Sequence, residues 1–444
     1  MSIRNVPSDG EKLSQLLKKF ESMKNIDGSL FCRLLKTSPS DQDVFILLAC
    51  LPKLMEQSML EADDLTTIAS LLPINFLQRI LSNSGDQDSE SYQRLIINIL
   101  SVVLSNCGPE YAVNFMELQR PLYELLKKSI AEFESLIDLM NAICGYLNAN
   151  EKKLPSLTLL KYVTELLERF THLDTTDKEF LQESWPTDLR AVLTKIFRSR
   201  GIAQDYQRIC FGIATLAIEL LSIEWFNREK QFALVLVALA EVELQLILDN
   251  PEKASVDEVI SCASIVSKFI QLTSNEEFLD DESATQVSIS CQRAVTYACH
   301  CLLEYEKDDS IKIDKNIKIV LLRLICSFFA VDGAAILDKE LVINTIPVLI
   351  KIAKENIAFG DGCLCESLFK SLASTRNLPN CVLGFALDYL EVYTSDGAVA
   401  LVRDFIHAAR CGGNSWYTES DILRAKNISS IASEPELREW LDNN

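Results

Sequence analysis

The chain has 444 residues, of which 43 are basic and 63 acidic, and its net charge is −20. This charge repels nucleic-acid phosphates and acidic membrane surfaces, so neither is a favoured partner. Because the length exceeds that of one ordinary globular core, the chain forms either two or three domains or one elongated array of repeats.

The composition favours helices joined by short turns. Only 14 Gly and 12 Pro interrupt a sequence rich in Leu, Ile and Ala. Capping boxes at residues 8–11, 40–43 and 255–258 predict helix starts, each followed by apolar residues at helical spacing. The pattern resumes after Asp63 and Asp64, which predicts a helical hairpin with the helix that opens at residue 43.

Helical pairs recur along the chain at a nearly regular distance. Successive pairs are predicted to begin near residues 43, 90, 130, 176, 230, 284, 337 and 382. The steps of roughly 40 to 54 residues are close to the period of armadillo and HEAT repeats. The sequence therefore predicts an all-α, armadillo/HEAT-like α-solenoid of stacked helical hairpins.

Several prolines follow Leu or Ile and precede an apolar helical pattern. Proline is tolerated in the first helical turn, and the residue before it is pushed out of the helix, so each marks a predicted helix start. At Pro52, where a helical pattern runs on both sides, a kink inside a longer helix stays open as an alternative. The prolines are Pro52, Pro73, Pro155, Pro347 and Pro379.

The most apolar stretch of the chain runs from Phe232 to Ala240, nine apolar residues in a row. A helix that is apolar all round is predicted to be buried, so Val235 and Leu236 should lie inside the core. A membrane span is disfavoured, because Glu241, Glu243 and other polar residues interrupt the run well short of about 20 residues. The N-terminal residues have no apolar segment of the kind a secretory signal needs, so we expect a cytosolic protein with no transmembrane segment.

The metal-ligating residue types do not form a convincing site. The three His residues are far apart, and the nearest approach to a cluster is Cys291, Cys299, His300 and Cys301. Neighbouring residues of a helix diverge by about 100° per step, so at most two of these could converge on zinc. A distant pair such as Cys363 and Cys365 could complete a site, but neither pair has the usual spacing of two to four residues. We expect the 14 Cys to be reduced thiols packed in helices. The three His residues are His172, His300 and His407.

Charged groups also give no catalytic or binding motif. The acidic loop at residues 275–282 lacks the alternating ligands and the glycine of a calcium loop, so solvation is the favoured interpretation. Carboxylate pairs occur at Asp41/Asp43 and Asp280/Asp281, and short basic groups at residues 18–19, 127–128, 152–153 and 198–200. Interspersed acids make the basic groups solvated faces. We expect no catalytic residues, no metal and no cofactor; the partner-binding residues stay unknown.

Two stretches resemble the neurochondrin family, whose members are leucine-rich cytoplasmic proteins of armadillo-like fold. The first is FALVLVALAEVELQLIL, residues 232–248, with the spacing of Ala240, Val242, Glu243 and Leu246 ahead of Asp257 and Val259. The second covers residues 320–355, and a looser match runs from residue 43 to residue 106. Together they resemble the family, in the same order, over roughly residues 43 to 355.

The resemblance implies a non-enzymatic protein that promotes neurite outgrowth and regulates signalling in neuronal cell bodies and dendrites. Its implied partners are cytoplasmic tails of G-protein-coupled receptors and a calcium/calmodulin-dependent kinase. Residues 2–4 carry no counterpart of the family's lipidated N-terminal cysteines, which puts lipid anchoring in doubt. The family's chain is also longer, so the sequence is expected to be a fragment or to lack C-terminal helices.

The sequence thus predicts a single right-handed solenoid whose concave face binds protein segments. The predicted mechanism is that a bound receptor tail or kinase is kept from its other partners. Its predicted divisions are an N-terminal helical cap at 1–37, armadillo-like repeats at 38–395 and a C-terminal helical segment at 396–444. Whether that last segment is truncated stays open. The alternative function is an armadillo-type exchange factor or chaperone for a G protein α subunit.

Overall fold

A computed structural model shows the fold of the chain. The described residues are 28–37, 40–56, 60, 62–83, 87–106, 109–128, 134–149, 154–173, 183–199, 201–226, 229–272, 279–308, 311, 313–357, 362–410, 416–428, 431 and 435–443. Every regular element of these residues is a helix, which confirms the all-α prediction. The contacts divide the chain into two compact units, Met1–Leu221 and Ser222–Asn444.

Unit 1 contains ten described α-helices and one 3₁₀ helix, Pro109–Leu118. They are α1 (Gly28–Thr37), α2 (Asp41–Glu56), α3 (Ala62–Leu71), α4 (Ile74–Ser82), α5 (Gln87–Asn106), α6 (Gln119–Lys127), α7 (Glu134–Ala149), α8 (Leu157–Thr171), α9 (Trp185–Arg198) and α10 (Gln204–Leu221). In the second half of the unit, α7 packs on α8 and α9 on α10, while α7 also contacts α9 and α8 contacts α10. This is the arrangement of stacked helical hairpins.

Unit 2 repeats this arrangement more regularly. Its described α-helices are α11 (Lys230–Leu248), α12 (Val256–Leu272), α13 (Asp281–Lys307), α14 (Lys315–Phe329), α15 (Lys339–Ile357), α16 (Cys363–Ala373), α17 (Val382–Val392), α18 (Asp396–Arg410), α19 (Glu419–Asn427) and α20 (Pro435–Asn443). Short 3₁₀ helices occur at Ser222–Phe226 and Gly333–Ile336. Each odd-numbered helix packs on the even-numbered helix that follows it, from α11/α12 to α19/α20.

Successive hairpins of unit 2 stack in two layers. The odd-numbered helices from α11 to α19 contact one another in order, and so do the even-numbered helices from α12 to α18. Each internal helix therefore buries one side against its hairpin partner and other sides against the neighbouring hairpins. This confirms the prediction of a solenoid-type stack; its right-handedness and the domain bounds at 37/38 and 395/396 stay predictions.

The predicted helix starts agree with the structure within a few residues over most of the described chain. The backbone N–H of Asp43 donates to Oγ of Ser40 at 3.2 Å, which is the expected N-cap of α2. The pairs predicted to start near residues 230, 284, 337 and 382 correspond to α11, α13, α15 and α17. The box at residues 8–11 lies outside the described residues.

The prediction of a helix start is wrong at Pro347, and at Pro52 the structure agrees with the alternative of a longer helix. Pro52 lies within α2 and Pro347 within α15. A proline inside a helix removes one backbone hydrogen bond and costs about 3 kcal/mol. In α15 the residues on both sides of Pro347, including Ile346 and Leu349, are buried, and this packing offsets the loss. At Pro73 the prediction is confirmed, since this residue is the N-cap of α4.

The expectation that α11 is buried all round is also wrong. Leu236 is fully buried, but Val235 is only partly buried, and Val242 and Leu246 are 48% and 57% exposed. Within unit 2, α11 packs on α12 and α13, and these neighbours cover only part of its circumference. Alone among the described helices, α11 is long and apolar enough to cross a membrane by length and composition, and 50% of the window that passes this test is buried in protein. A core helix of a soluble protein passes the same test.

Candidate functional site

A cleft of about 390 Å³ lies in unit 1 between α4, the 3₁₀ helix Pro109–Leu118, α6 and α8. We call it the α6/α8 cleft. Its volume falls in the range of ligand-binding sites, which is about 300 to 1,000 Å³. It is lined by Gln78, Met116, Glu117, Gln119, Arg120, Thr158, Lys161, Tyr162 and Glu165.

Helix α8 supplies one wall of the cleft from a single face. Thr158, Lys161, Tyr162 and Glu165 follow one another at i, i+3, i+4 and i+7, the spacing that places residues on one side of a helix. The opposite face of α8 holds it in the core, since Leu160, Val163, Leu166 and Leu167 are fully buried. Ser156 fixes the start of this helix by accepting a hydrogen bond from the backbone N–H of Leu159 at 3.2 Å. Thus the apolar pattern of α8 orients its polar face toward the cleft.

Glu165 is the centre of the polar network in the cleft. Nε2 of Gln119 donates to Oε2 of Glu165 at 3.0 Å. Nη2 of Arg120 lies 3.5 Å from the same oxygen, and Nη2 of Arg169 lies 3.8 Å from it. Two guanidinium groups therefore balance the charge of one carboxylate and the Gln119 amide donates a hydrogen bond to it, so that these contacts join α6 to α8.

The network leaves one buried acceptor without a partner. Gln119 is only 1% exposed, yet its Oε1 has no hydrogen-bond partner. The amide is oriented by Glu165, because its N–H₂ end must face the carboxylate. A buried polar atom with no partner costs about 1 to 3 kcal/mol.

A stacked cluster of cations and one aromatic ring lies beside the cleft. Nζ of Lys127 is 4.4 Å, and Cζ of Arg169 4.9 Å, from the centroid of the Tyr123 ring. Both are within the reach of a cation–π interaction, which holds the Arg169 guanidinium between the ring and Glu165. Arg169 therefore contributes to the packing of α8 against α6. The Arg120 side chain, in contrast, is 72% exposed.

Two charged residues of the cleft wall make no ion pair in the part of the chain that the structure describes. Lys161 and Glu117 have no oppositely charged group within 4.0 Å, and both are exposed. The cleft thus offers a free ammonium group, a free carboxylate and the ring of Tyr162. No His or Cys is among its described lining residues.

The Cys and His residues singled out in the sequence do not converge. Cys299 and Cys301 are buried in α13 while His300, between them, is exposed. In α16, Cys363 is exposed and Cys365 is buried. Among the described residues no group of three His, Cys, Asp or Glu could hold a metal ion.

Most described cysteines are buried free thiols, as the sequence predicted. Burial raises the pKa of Cys210 and of Cys291 to about 12. Burial also raises the pKa of Cys326 to about 12. A hydrogen bond with Ser371 lowers this pKa, but its effect is smaller than that of burial. These groups stay protonated at neutral pH and are poor nucleophiles and ligands.

The acidic pairs lie at the starts of helices. Oδ1 of Asp280 accepts a hydrogen bond from the backbone N–H of Ser283 at 2.8 Å and caps α13, and Asp281 lies in its first turn. That hydrogen bond holds the pKa of Asp280 below its ordinary value. Asp41 and Asp43 lie in the first turn of α2. Residues 18–19, 152–153 and 200 of the basic groups lie outside the described residues, whereas Lys127 and Lys128 are exposed.

Sequence reasoning did not find the α6/α8 cleft. The four polar residues of α8 at helical spacing were a visible signal, but solvated faces of helices show the same spacing. That Gln119 would be buried against Glu165, 46 residues later, depends on how two helices pack.

The fold defines the class: an α-helical repeat protein with a cleft between neighbouring helices. Comparison with protein families then identifies the group within this class. The Neurochondrin family profile matches residues 127–370, and the chain belongs to the neurochondrin family. No curated protein matches the chain significantly.

Two solved structures are similar in a limited way. An engineered protein is 14% identical, with a TM-score of 0.28, over 88% of this chain and 100% of its own. Kap121p is 12% identical, with a TM-score of 0.25, over 100% of this chain and 62% of its own.

Proposed function

We propose that this chain is a non-catalytic scaffold of the neurochondrin type, which regulates signalling by binding segments of other proteins. The observation that carries the proposal is the α6/α8 cleft, whose described lining includes the exposed side chains of Lys161 and Glu117. Clefts between stacked helices are a common way for helical repeat proteins to hold polypeptide segments. Family membership supports the same reading.

The resemblance to the neurochondrin family indicates which protein segments the chain would bind. The bound segments would be cytoplasmic tails of G-protein-coupled receptors and a surface of a calcium/calmodulin-dependent kinase. The protein would act by occupancy, keeping the tail or the kinase from other partners, and would thereby promote neurite outgrowth. Its proposed location is the cytoplasm of neuronal cell bodies and dendrites.

Direct binding with purified components tests this proposal. The chain is titrated into labelled receptor tails and into the kinase, and binding is followed by fluorescence anisotropy. We expect saturable binding with Kd on the order of micromolar and slower phosphorylation of a peptide substrate by the kinase. Absence of binding to both, with the chain shown to be folded by circular dichroism, contradicts the proposal.

A second assay separates passive binding from the alternative, an exchange factor for a G protein α subunit. Release of labelled GDP from a purified α subunit is measured with and without the chain. A scaffold leaves the release rate unchanged, whereas an exchange factor accelerates it. Accelerated release would overturn the scaffold proposal in favour of that alternative.

A further inference from the structure

We infer that the even-numbered layer of unit 2 binds an extended segment of a partner protein that carries an acidic side chain at every third position. In the complex the carboxylates pair with Lys268 of α12, Arg323 of α14 and Lys370 of α16, which we call the basic row. The inference rests on the proposed function, because it specifies the kind of segment that one surface of the scaffold takes.

The first reason is the sign of the charge on these three helices. Beyond the first turn of α12, α14 and α16, the basic row provides the only charged side chains, and the acidic residues of α12 and α16 lie in the first turns. Arg323 and Lys370 are exposed, and Lys268 is partly exposed. A positively charged surface therefore lies within a chain of net charge −20, and it attracts carboxylates.

The second reason is that the basic row has no ion-pair partner in the part of unit 2 that the structure describes. In the odd-numbered layer, Lys354 and Arg424 both pair with Asp388. Among the described residues no carboxylate forms an ion pair with a member of the basic row. Cations of the odd-numbered layer thus join neighbouring hairpins, whereas those of the basic row are available to an external anion.

The third reason is that contacts between the three helices bring the basic row to a similar height in the stack. Oγ of Ser327 in α14 donates to Oγ of Ser267 in α12 at 3.4 Å, and Cys326 of α14 forms a hydrogen bond with Ser371 of α16. Two members of the row directly adjoin Ser267 and Ser371 in the sequence, and Arg323 lies about one helical turn before Ser327. The three cations therefore form a line that crosses the helices.

The spacing of this line selects the form of the segment. Packed helices lie about 8 to 10 Å apart, so neighbouring cations of the basic row are separated by about one such step. A segment in polyproline II conformation rises about 3.1 Å per residue with three residues per turn, so every third side chain lies on one side, about 9 Å further on. In an α-helix, residues three apart are separated by only about 5 Å along the axis. The basic row therefore matches an extended segment and not a helical one.

The next helix of the layer disfavours a long polyanion. Helix α18 packs on α16 and presents the exposed Asp404. A nucleic acid or an acidic membrane extends beyond three cations and meets the negative charge of the rest of the chain. A short acidic segment of a protein avoids this repulsion.

Binding of short labelled peptides to the full chain, followed by fluorescence anisotropy at low salt, tests the inference. The spaced peptide carries three Glu separated by pairs of Pro or Ala, and the clustered peptide has the same composition with its three Glu adjacent. We expect the spaced peptide to bind about fivefold more tightly, because the clustered peptide reaches fewer cations of the basic row and each exposed ion pair contributes modestly.

Charge-reversed variants assign this preference to the basic row. Arg323→Glu should weaken binding of the spaced peptide about tenfold, because it replaces an attraction by a repulsion. Lys307→Glu, at an exposed position in the last turn of α13, changes the net charge equally and should leave binding unchanged. A third peptide, with Lys in place of the middle Glu, should bind Arg323→Glu more tightly than it binds the unaltered chain.

Three outcomes overturn the inference: equal binding of the spaced and clustered peptides, equal effects of Arg323→Glu and Lys307→Glu, or tighter binding of single-stranded DNA of similar length than of the spaced peptide. A thermal melt shows that each variant is folded, and Lys370→Glu gives the same test if Arg323→Glu does not fold. If receptor tails and kinase bind the chain but the peptides show no preference, the proposed function stands and this inference fails. If the peptides behave as expected and neither tails nor kinase bind, the basic row stands and those partners are wrong.

Discussion

At the scale of single residues, the described core contains carboxyl groups that are close to one another and poorly solvated. Glu258 of α12 is buried, and Glu243 of α11 faces it across the hairpin. Burial raises the pKa of Glu243 above its ordinary value, and the charge of Glu258 raises it further. The folded chain therefore holds the Glu243 proton more tightly than the unfolded chain does, and stability contributed by that proton is lost as pH rises.

Replacement of Glu243 by Gln should stabilise unit 2 at pH 7, because it removes a poorly solvated charge beside Glu258. We expect a gain on the order of 1 kcal/mol, seen as a rise of a few degrees in Tm. The gain should shrink as pH falls through and below the ordinary carboxyl pKa of 4.5. At such pH the Glu243 side chain is protonated and, like Gln, carries no charge. Glu252→Gln in the exposed turn after α11 is the control. A variant that is less stable than the parent at pH 7 would contradict this account.

At the scale of helices, charged side chains join successive hairpins of unit 2 along the odd-numbered layer. Lys351 of α15 pairs with Glu306 of α13. Asp388 of α17 lies 2.5 Å from Nζ of Lys354 in α15 and 2.8 Å from Nη2 of Arg424 in α19. Each pair connects helices one repeat apart, so the ion pairs fix the register of neighbouring hairpins. Unit 1 has a polar counterpart, since Nδ2 of Asn148 in α7 donates to Oδ1 of Asp188 in α9 at 2.8 Å.

Asp388→Asn tests whether these ion pairs between the odd-numbered helices, here called the ion-pair ladder, stabilise unit 2. Partial burial opposes ionisation of Asp388, but hydrogen bonds and charges from Lys354 and Arg424 outweigh it and lower the pKa below its ordinary value of 3.8. The carboxylate therefore stabilises the fold above that pH, and its contribution is lost as pH falls through the lowered pKa.

Since the Asp388 side chain is 36% exposed, solvent screens the pair, and we expect a loss of about 1 kcal/mol or less at pH 7. Urea unfolding at low and high salt measures it, and high salt should reduce the difference. Asp404→Asn, on an exposed position of α18, should be neutral. An equal loss in both variants would show that the ladder contributes nothing specific.

Aromatic packing joins the even-numbered layer to its neighbours. The fully buried Phe369 of α16 lies with its ring centroid 4.9 Å from that of Phe385, 5.3 Å from Tyr389 and 5.4 Å from Phe405. These rings belong to α16, α17 and α18. The Phe369 ring thus contributes to the packing of three helices against one another.

Phe369→Ala should destabilise unit 2 by about 3 to 5 kcal/mol, because it removes a large buried ring and leaves a cavity among the remaining three. Chemical denaturation measures the loss. Val392→Ala in α17 is the control, since Val392 is 57% exposed and its truncation should change stability by less than about 0.5 kcal/mol. A loss below 1 kcal/mol for Phe369→Ala would mean that the cluster does not hold these helices together.

At the scale of the whole molecule, the chain combines a net charge of −20 with two compact units that each contain their own stacked hairpins. The family match at residues 127–370 extends over parts of both. A stack of helical pairs gains stability from each interface between neighbouring repeats. A unit with several such interfaces has enough of them to fold independently.

We therefore expect a fragment of residues 222–444, expressed alone, to fold. Its circular dichroism should be helical, and its thermal unfolding should be cooperative. A fragment of residues 238–444, which removes the first half of α11, is the comparison and should unfold at lower temperature because α12 and α13 lose a partner. A fragment 222–444 that binds hydrophobic dyes and melts without a transition would contradict this view.

The sequence alone determined the all-α class, the hairpin period and most helix starts. These follow from local rules: Ser and Asp are favoured as N-caps, as Ser40 shows, and apolar residues recur at helical spacing. The burial of cysteines such as Cys210 and Cys326 was predictable for the same reason, since they lie within apolar patterns.

Only the tertiary structure decided where helices depart from these local rules and where the α6/α8 cleft lies. Packing on both sides of Pro347 keeps one helix where local rules predict a break, and neighbours on only part of α11 leave Val242 and Leu246 exposed in an apolar sequence. The α6/α8 cleft depends on Gln119 and Glu165 meeting across two helices. Such contacts are set by which faces of distant helices pack together, and the periodicity of a single helix carries no information about its neighbour.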